Sequence, residues 1–209
     1  MNKIRKIITL ALCLLMGYGL LANVFHFFAI RQGLSYSFDD SIEMKSIQKL
    51  TASIDEDTEK VKSIENSSLE EDVLKSYTSF LEKANNKIKE NVFTHYEGTT
   101  NLTQKDIYQM IYASGEINDM TLLNMYKKLE TVNSSLSSSE QEITQKIYTN
   151  TLMNNYIYDD IVNNYIYTAS VHYNKYTIST ILSLYQDKLN MIHYINELVL
   201  ATERGGESE

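Results

Sequence analysis

One run of residues limits every fold open to this chain. Ile7 to Ile30 is 24 residues long, and only Thr9, Asn23 and His26 in it are strongly polar. A bilayer's apolar core is about 30 Å thick, a distance that roughly 20 helical residues cover. The run therefore reads as a membrane-spanning helix with some tilt. Lys3, Arg5, Lys6 and the α-amine precede it, whereas Arg31 is followed by Asp39, Asp40 and Glu43 before the next base, Lys45. The positive-inside rule then predicts a cytoplasmic N-terminus and a single pass through the cytoplasmic (inner) membrane, with the rest of the chain outside the cytoplasm.

A cleaved signal peptide is the rival reading. Its apolar stretch is usually 7–15 residues and ends at a small-x-small site. Here the run is longer, and the residue pairs before Asn23 (Leu20, Ala22) and before Ile30 (Phe27, Ala29) each include a large side chain. An uncleaved anchor over residues 1–31 is the expectation. Asn23 and His26 lie three apart on one helical face. They are candidates for intramembrane polar contacts, or they reach water at the outer interface.

Beyond the anchor, 178 of the 209 residues remain, enough for one compact domain. From residue 32 onward 15 Lys and Arg face 27 Asp and Glu, a net of −12, which argues against nucleic acid or an anionic lipid surface as a partner. The lone cysteine, Cys13, lies in the apolar run, so packing alone must hold the exported part together. The sequence has no Pro, and only Gly98 and Gly115 interrupt residues 34 to 204, which predicts long helices with few turns. The wealth of Tyr, Asn, Ile and Lys is associated with AT-rich bacterial coding.

Residues 32–40 read as a juxtamembrane linker. Ser41 or Asp40 can cap a helix whose narrow stripe is Ile47, Leu50, Ile54, Val61 and Ile64, a spacing that resembles a coiled-coil seam. Asp55-Glu56-Asp57 reads as a solvated helix face, since a calcium loop would need a central Gly and a later Glu at fixed spacing. Ser68-Leu-Glu-Glu71 predicts a capping box ahead of a second stripe: Leu69, Val73, Tyr77, Phe80, Ala84, Ile88 and Val92. Gly98-Thr-Thr-Asn reads as loop. Thr103 to Asp106 starts a third helix, broken at Ser114-Gly115 and recapped at Asn118 or Asp119. Asn133 to Ser139 is a loop ending in overlapping capping boxes at Ser138 and Ser139. From Glu140 to Ala201 nothing forces a break, and a compact domain would fold this stretch into two antiparallel helices with a corner near residues 168–173. Residues 201–209 read as a polar tail.

Residues 154–171 hold a short repeat, NNYIYDDIV followed by NNYIYTASV. A hairpin is conceivable, but the flanks are helical and no Gly supports the turn. As a helix its two copies face opposite ways, which predicts a helix central to the bundle. Nine of the sixteen tyrosines lie between Tyr148 and Tyr194. Tyr156, Tyr158, Tyr165, Tyr167, Tyr173 and Tyr176 form a candidate partner-contact patch, because Tyr joins a large apolar surface to one polar tip; the alternative is a bundle core with its hydroxyls at the rim.

The four histidines are scattered, nucleophile and phosphate-loop motifs are absent, and the glycines show no dinucleotide spacing. No catalytic residue, cofactor or metal is expected. The chain reads as all-α: an N-terminal transmembrane helix followed by an antiparallel four- to five-helix bundle over 41–200. The functional expectation is a non-enzymatic scaffold or interaction subunit of a cell-envelope assembly, with a protein partner or a second copy as occupant. A ligand-sensing extracytoplasmic bundle is the alternative, which the single predicted span disfavours.

Overall fold

The computed structural model describes residues 3–31, 34–38, 41–65, 67–95, 99–117, 119–133, 140–167 and 175–206. Among these lie seven α-helices: α1 (Lys3–Arg31), α2 (Ile42–Lys62), α3 (Glu71–Asn91), α4 (Gln104–Glu116), α5 (Asp119–Val132), α6 (Glu140–Tyr167) and α7 (Lys175–Gly206). Two short strands, β1 (Leu34–Ser37) and β2 (Thr99–Leu102), pair antiparallel, with Leu34 opposite Leu102 and Ser37 opposite Thr99. The all-α expectation holds apart from this ribbon. Six helices, rather than four or five, make up the body.

Helix α1 is long and apolar enough to cross a membrane over Arg5–Val24, and none of that stretch is buried against the body. Its polar side chains bond within the helix. Thr9 donates to the Arg5 carbonyl at 2.8 Å, and Asn23 Nδ2 donates to the Gly19 carbonyl at 2.8 Å. An apolar surrounding demands that internal satisfaction. The Asn23 bond uses one of its two amide hydrogens; the His26 side chain lies outside the described residues.

The core is organised around α7, which packs on α2 most extensively and on α4, α5 and α6 besides. Ile178, Ile181, Leu182, Tyr185, Leu189, Ile192, Ile195 and Val199, a stripe predicted from spacing, are all buried. Helices α2 and α7 run parallel: Ser179 donates to Glu43 at 2.6 Å near their starts, and His193 meets Asp57 at 3.4 Å further along. Helix α3 runs the other way, with the Tyr77 hydroxyl donating to Asn196 Oδ1 at 2.8 Å and Ser68 bonding Glu203. The antiparallel expectation thus fails for the largest helix pair. Helices joined by a short loop must reverse, but α2 and α7 are far apart in sequence and carry no such constraint.

The α2 seam contains polar residues that periodicity passes over. Thr51 and Thr58 are buried, and their hydroxyls bond back to the Ile47 carbonyl at 2.8 Å and the Ile54 carbonyl at 2.6 Å. Asp57, expected on a solvated face, is only 6% exposed and lies between Lys60 and His193. A buried carboxylate survives only with such partners. Its neighbours do follow the expectation: Glu56 is exposed and pairs with Lys60, and Asp55 meets Lys89 and Asn85 from α3.

The cap chemistry divides in the same way. The Ser41 hydroxyl accepts from the Met44 amide at 3.2 Å, and Thr103 with Asp106 forms a reciprocal capping box. The box expected at Ser68 does not form. Helix α3 begins after Glu70 without a side-chain cap, and Ser68 turns its amide and hydroxyl to Glu203 on α7. Helix α4 ends at Glu116, one residue past the break expected at Ser114-Gly115, and α5 begins at Asp119; buried Ser114 donates to Asn154 of α6 at 3.1 Å. At the α4 end, buried Lys188 reaches across from α7 and donates to the Ile117 carbonyl at 3.2 Å. A cation suits the negative end of a helix dipole.

Three boundaries are corrected. The linker at 32–40 contains β1, and the loop expected at Gly98–Asn101 is largely β2. The tail expected from residue 201 is helical to Gly206. Glu140–Ala201 is two helices, α6 and α7; the corner expected at 168–173 lies outside the described residues, as do the capping boxes at Ser138 and Ser139.

Candidate interaction surface

Helix α6 is 28 residues long and buries a thin line of side chains: Ile143, Ile147, Asn150, Ile157 and Ile161. It is peripheral, and α7 holds the central place that the tyrosine repeat seemed to claim. The repeat's helical reading holds to Tyr167. In the first copy Ile157 and Ile161 turn inward while Tyr156 and Tyr158 are exposed; the side chains of the second copy beyond Asn163 lie outside the described residues.

The outward face of α6 is unusually apolar. Tyr148, Leu152 and Tyr156 follow one another at intervals of four, with Met153 on one flank, and all are exposed; Tyr158, also exposed, lies on the other flank of the helix. Tyr156 is 69% exposed. Helix α4 adds rings on the Tyr158 flank. The Tyr108 and Tyr158 rings lie 5.7 Å apart and tilted, while Tyr108 and Tyr112 stack at 6.3 Å. A hydrogen bond with Tyr158 pushes the Tyr108 phenol above its ordinary pKa, helped by the nearby Tyr158 and Tyr112 phenols. Aromatic pairs at these separations are favourable geometries, so the rings present a preset surface.

The sequence-predicted patch is assembled only in part. Tyr156 belongs to the outward stripe of α6 and Tyr158 to the ring cluster with α4. Tyr176 is 81% exposed at the start of α7. The backbones of Tyr165 and Tyr167 continue α6, but their side chains lie outside the described residues, as does all of Tyr173. Sequence reasoning missed Tyr108 and Tyr112. Their spacing of four, on the side of α4 away from Ile107, Met110 and Ile111, was the available signal.

The surface has a defined place relative to α1. Only residues 32 and 33 separate α1 from β1, and Leu34 of β1 pairs with Leu102, which directly precedes the α4 cap Thr103. Tyr108 lies little more than a turn into α4. The tyrosines of α4 and the C-terminal half of α6 therefore lie at the end of the body joined to α1.

On the inner side of α6 a cleft of about 500 Å³ opens against α7. Charged and amide side chains line it: Glu142, Lys146 and Asn150 from α6, Asp187 and Asn190 from α7. Elsewhere, His193 bridges Asp57 and Glu197, the latter at 3.5 Å. Among the described residues no group of three His, Cys, Asp or Glu is placed to hold a metal ion. No family model, curated relative or solved structure matches this chain.

Proposed function

We propose that the chain is a non-enzymatic, membrane-tethered scaffold: an interaction subunit of a bacterial cell-envelope assembly that holds a protein partner close to the membrane surface. Helix α1 is its single-pass anchor in the cytoplasmic membrane, with the N-terminus inside and α2–α7 outside. The observations that support this reading are the exposed ring cluster of Tyr108, Tyr112 and Tyr158 and the exposed stripe of Tyr148, Leu152 and Tyr156 further round α6. Tyrosine and methionine are enriched at the centres of protein interfaces, and Lys and Glu are depleted there. An exposed apolar patch rimmed by polar groups marks an interaction site.

The test is photo-crosslinking in intact cells. A photoreactive residue replacing Tyr156 should give one discrete adduct, and the same residue replacing Lys75 on α3 should give none. Equal labelling at both sites, or none at Tyr156, removes the reading. Orientation is checked with Cys13→Ser, Lys75→Cys protein and a membrane-impermeant maleimide, which should label from outside the cell. A second reading, a ligand-sensing extracytoplasmic bundle, draws on a separate feature, the polar cleft between α6 and α7.

A further inference from the structure

The α6–α7 cleft has an unusual inventory of side chains. Asn150 is 3% exposed, lines the cleft, and its Nδ2 has no hydrogen-bond partner among the described residues. A buried amide donor left unpaired is costly, and native structures tolerate few of them. Lys146 bonds Glu142 at 2.9 Å, and both side chains are largely in water, so each remains free to be shared. Asp187 enters from the opposite wall. It reaches solvent, yet the cleft walls desolvate it and push its carboxyl above the usual range, opposed only in part by the Lys146 charge. The apolar floor is Ile143 and Met191, both buried.

The cleft therefore offers an orphan N–H donor and an ammonium near a carboxylate in need of a cation. We propose that it binds a free α-amino acid. The ligand carboxylate accepts from Asn150 Nδ2 and Lys146, its ammonium donates to Asp187, and an aliphatic side chain lies on Ile143 and Met191. Each ligand charge meets its opposite, and the charge-assisted bonds are of the stronger kind. A simple anion would satisfy Asn150 and leave Asp187 bare; a simple amine would do the reverse. The volume suits a small polar ligand. This inference gives the ligand-sensing reading its ligand class and is independent of the tyrosine face, which lies on the outer side of α6. Crosslinking at Tyr156 and ligand binding can therefore fail separately.

The experiment uses the full-length protein in detergent micelles. Each of the twenty common L-amino acids is added at millimolar concentration, with sodium acetate and ethylamine as single-charge controls, and thermal unfolding is followed. At least one aliphatic amino acid should raise Tm by about 3 °C, the effect of a ligand at roughly ten times its Kd on a domain this size. Neither control should do so. Asn150→Ala and Asp187→Asn should each weaken binding at least about tenfold, the loss of one charge-assisted bond. Should a variant fold poorly, methyl-labelled wild-type protein decides: the Met191 methyl resonance should move on titration and that of exposed Met120 should not. No shift with any amino acid, an equal shift with acetate or ethylamine alone, or unchanged affinity in both variants overturns the site.

Discussion

Helices α6 and α7 are of similar length and both carry tyrosines, yet among the described residues only α7 buries one completely. Tyr185 of α7 is fully buried, and its hydroxyl donates to the Met110 carbonyl of α4 at 2.5 Å; burial pushes its phenol far above the ordinary range. Tyr148, Tyr156 and Tyr158 of α6 point into solvent. What separates the helices is the width of the apolar band around them. In α7 the apolar residues cover enough of the circumference for α2, α4, α5 and α6 to surround it. In α6 the isoleucines at 143, 147, 157 and 161 make a single line. A helix with one line can seal only one side, and its remaining large side chains are left for another molecule.

The sharpest break of that contrast is a pair of truncations. Ile192→Ala, at a fully buried position of α7, should cost about 2–5 kcal/mol in urea unfolding. Leu152→Ala on the outer face of α6 should stay within about 0.5 kcal/mol. Equal costs would mean that the α6 face is covered within the folded chain. A smaller effect comes from the hydroxyls. Tyr185→Phe loses the bond to Met110, about 1 kcal/mol, whereas Tyr156→Phe should leave the unfolding midpoint where it is.

The parallel α2–α7 seam supplies a pH-dependent term. The Ser179 hydroxyl, the Glu43 backbone amide and Ser41 hold the Glu43 carboxyl below its usual range. A carboxyl whose folded pKa is lowered stabilises the fold at pH above its unfolded value and loses that effect as pH falls through the folded value. Glu43→Gln should therefore be slightly less stable than wild type near neutral pH, and the gap should close in acid. A gap that widens in acid would refute the assignment. The smallest effect on stability belongs to Tyr156→Glu. It should leave unfolding unchanged within about 0.5 kcal/mol and abolish the adduct formed from a photoreactive residue at Tyr148.

Much of the helix inventory was legible in the chain. The Ser41 and Thr103 caps form because their partners lie within three residues, so local geometry settles them. The Ser68 box fails because Glu203, distant in sequence, offers its carboxylate to the same serine. The break expected at Ser114-Gly115 falls one residue on, at Glu116, while the buried Ser114 hydroxyl bonds Asn154 of α6. The β1–β2 ribbon joins Leu34–Ser37 to Thr99–Leu102, and neither segment carries a strand pattern strong enough to announce it alone. Two members of the candidate surface, Tyr156 and Tyr158, came from the density of tyrosines; Tyr108 met Tyr158 only when α4 packed on α6.

Short-range chemistry thus settled in the sequence an apolar run long enough to span a bilayer, an acidic helical remainder, the main helix stripes and the caps whose partners are close by. Tertiary structure decided which helix is central, that α2 and α7 run parallel, that Asp57 is buried beside His193, and that Tyr108 of α4 meets Tyr158 of α6. The division has a physical cause. Periodicity and capping depend on residues a few positions apart, where backbone geometry sets the distances. Burial of a particular stripe depends on how much apolar surface every other helix has to offer it, and that competition is resolved only when the whole chain packs.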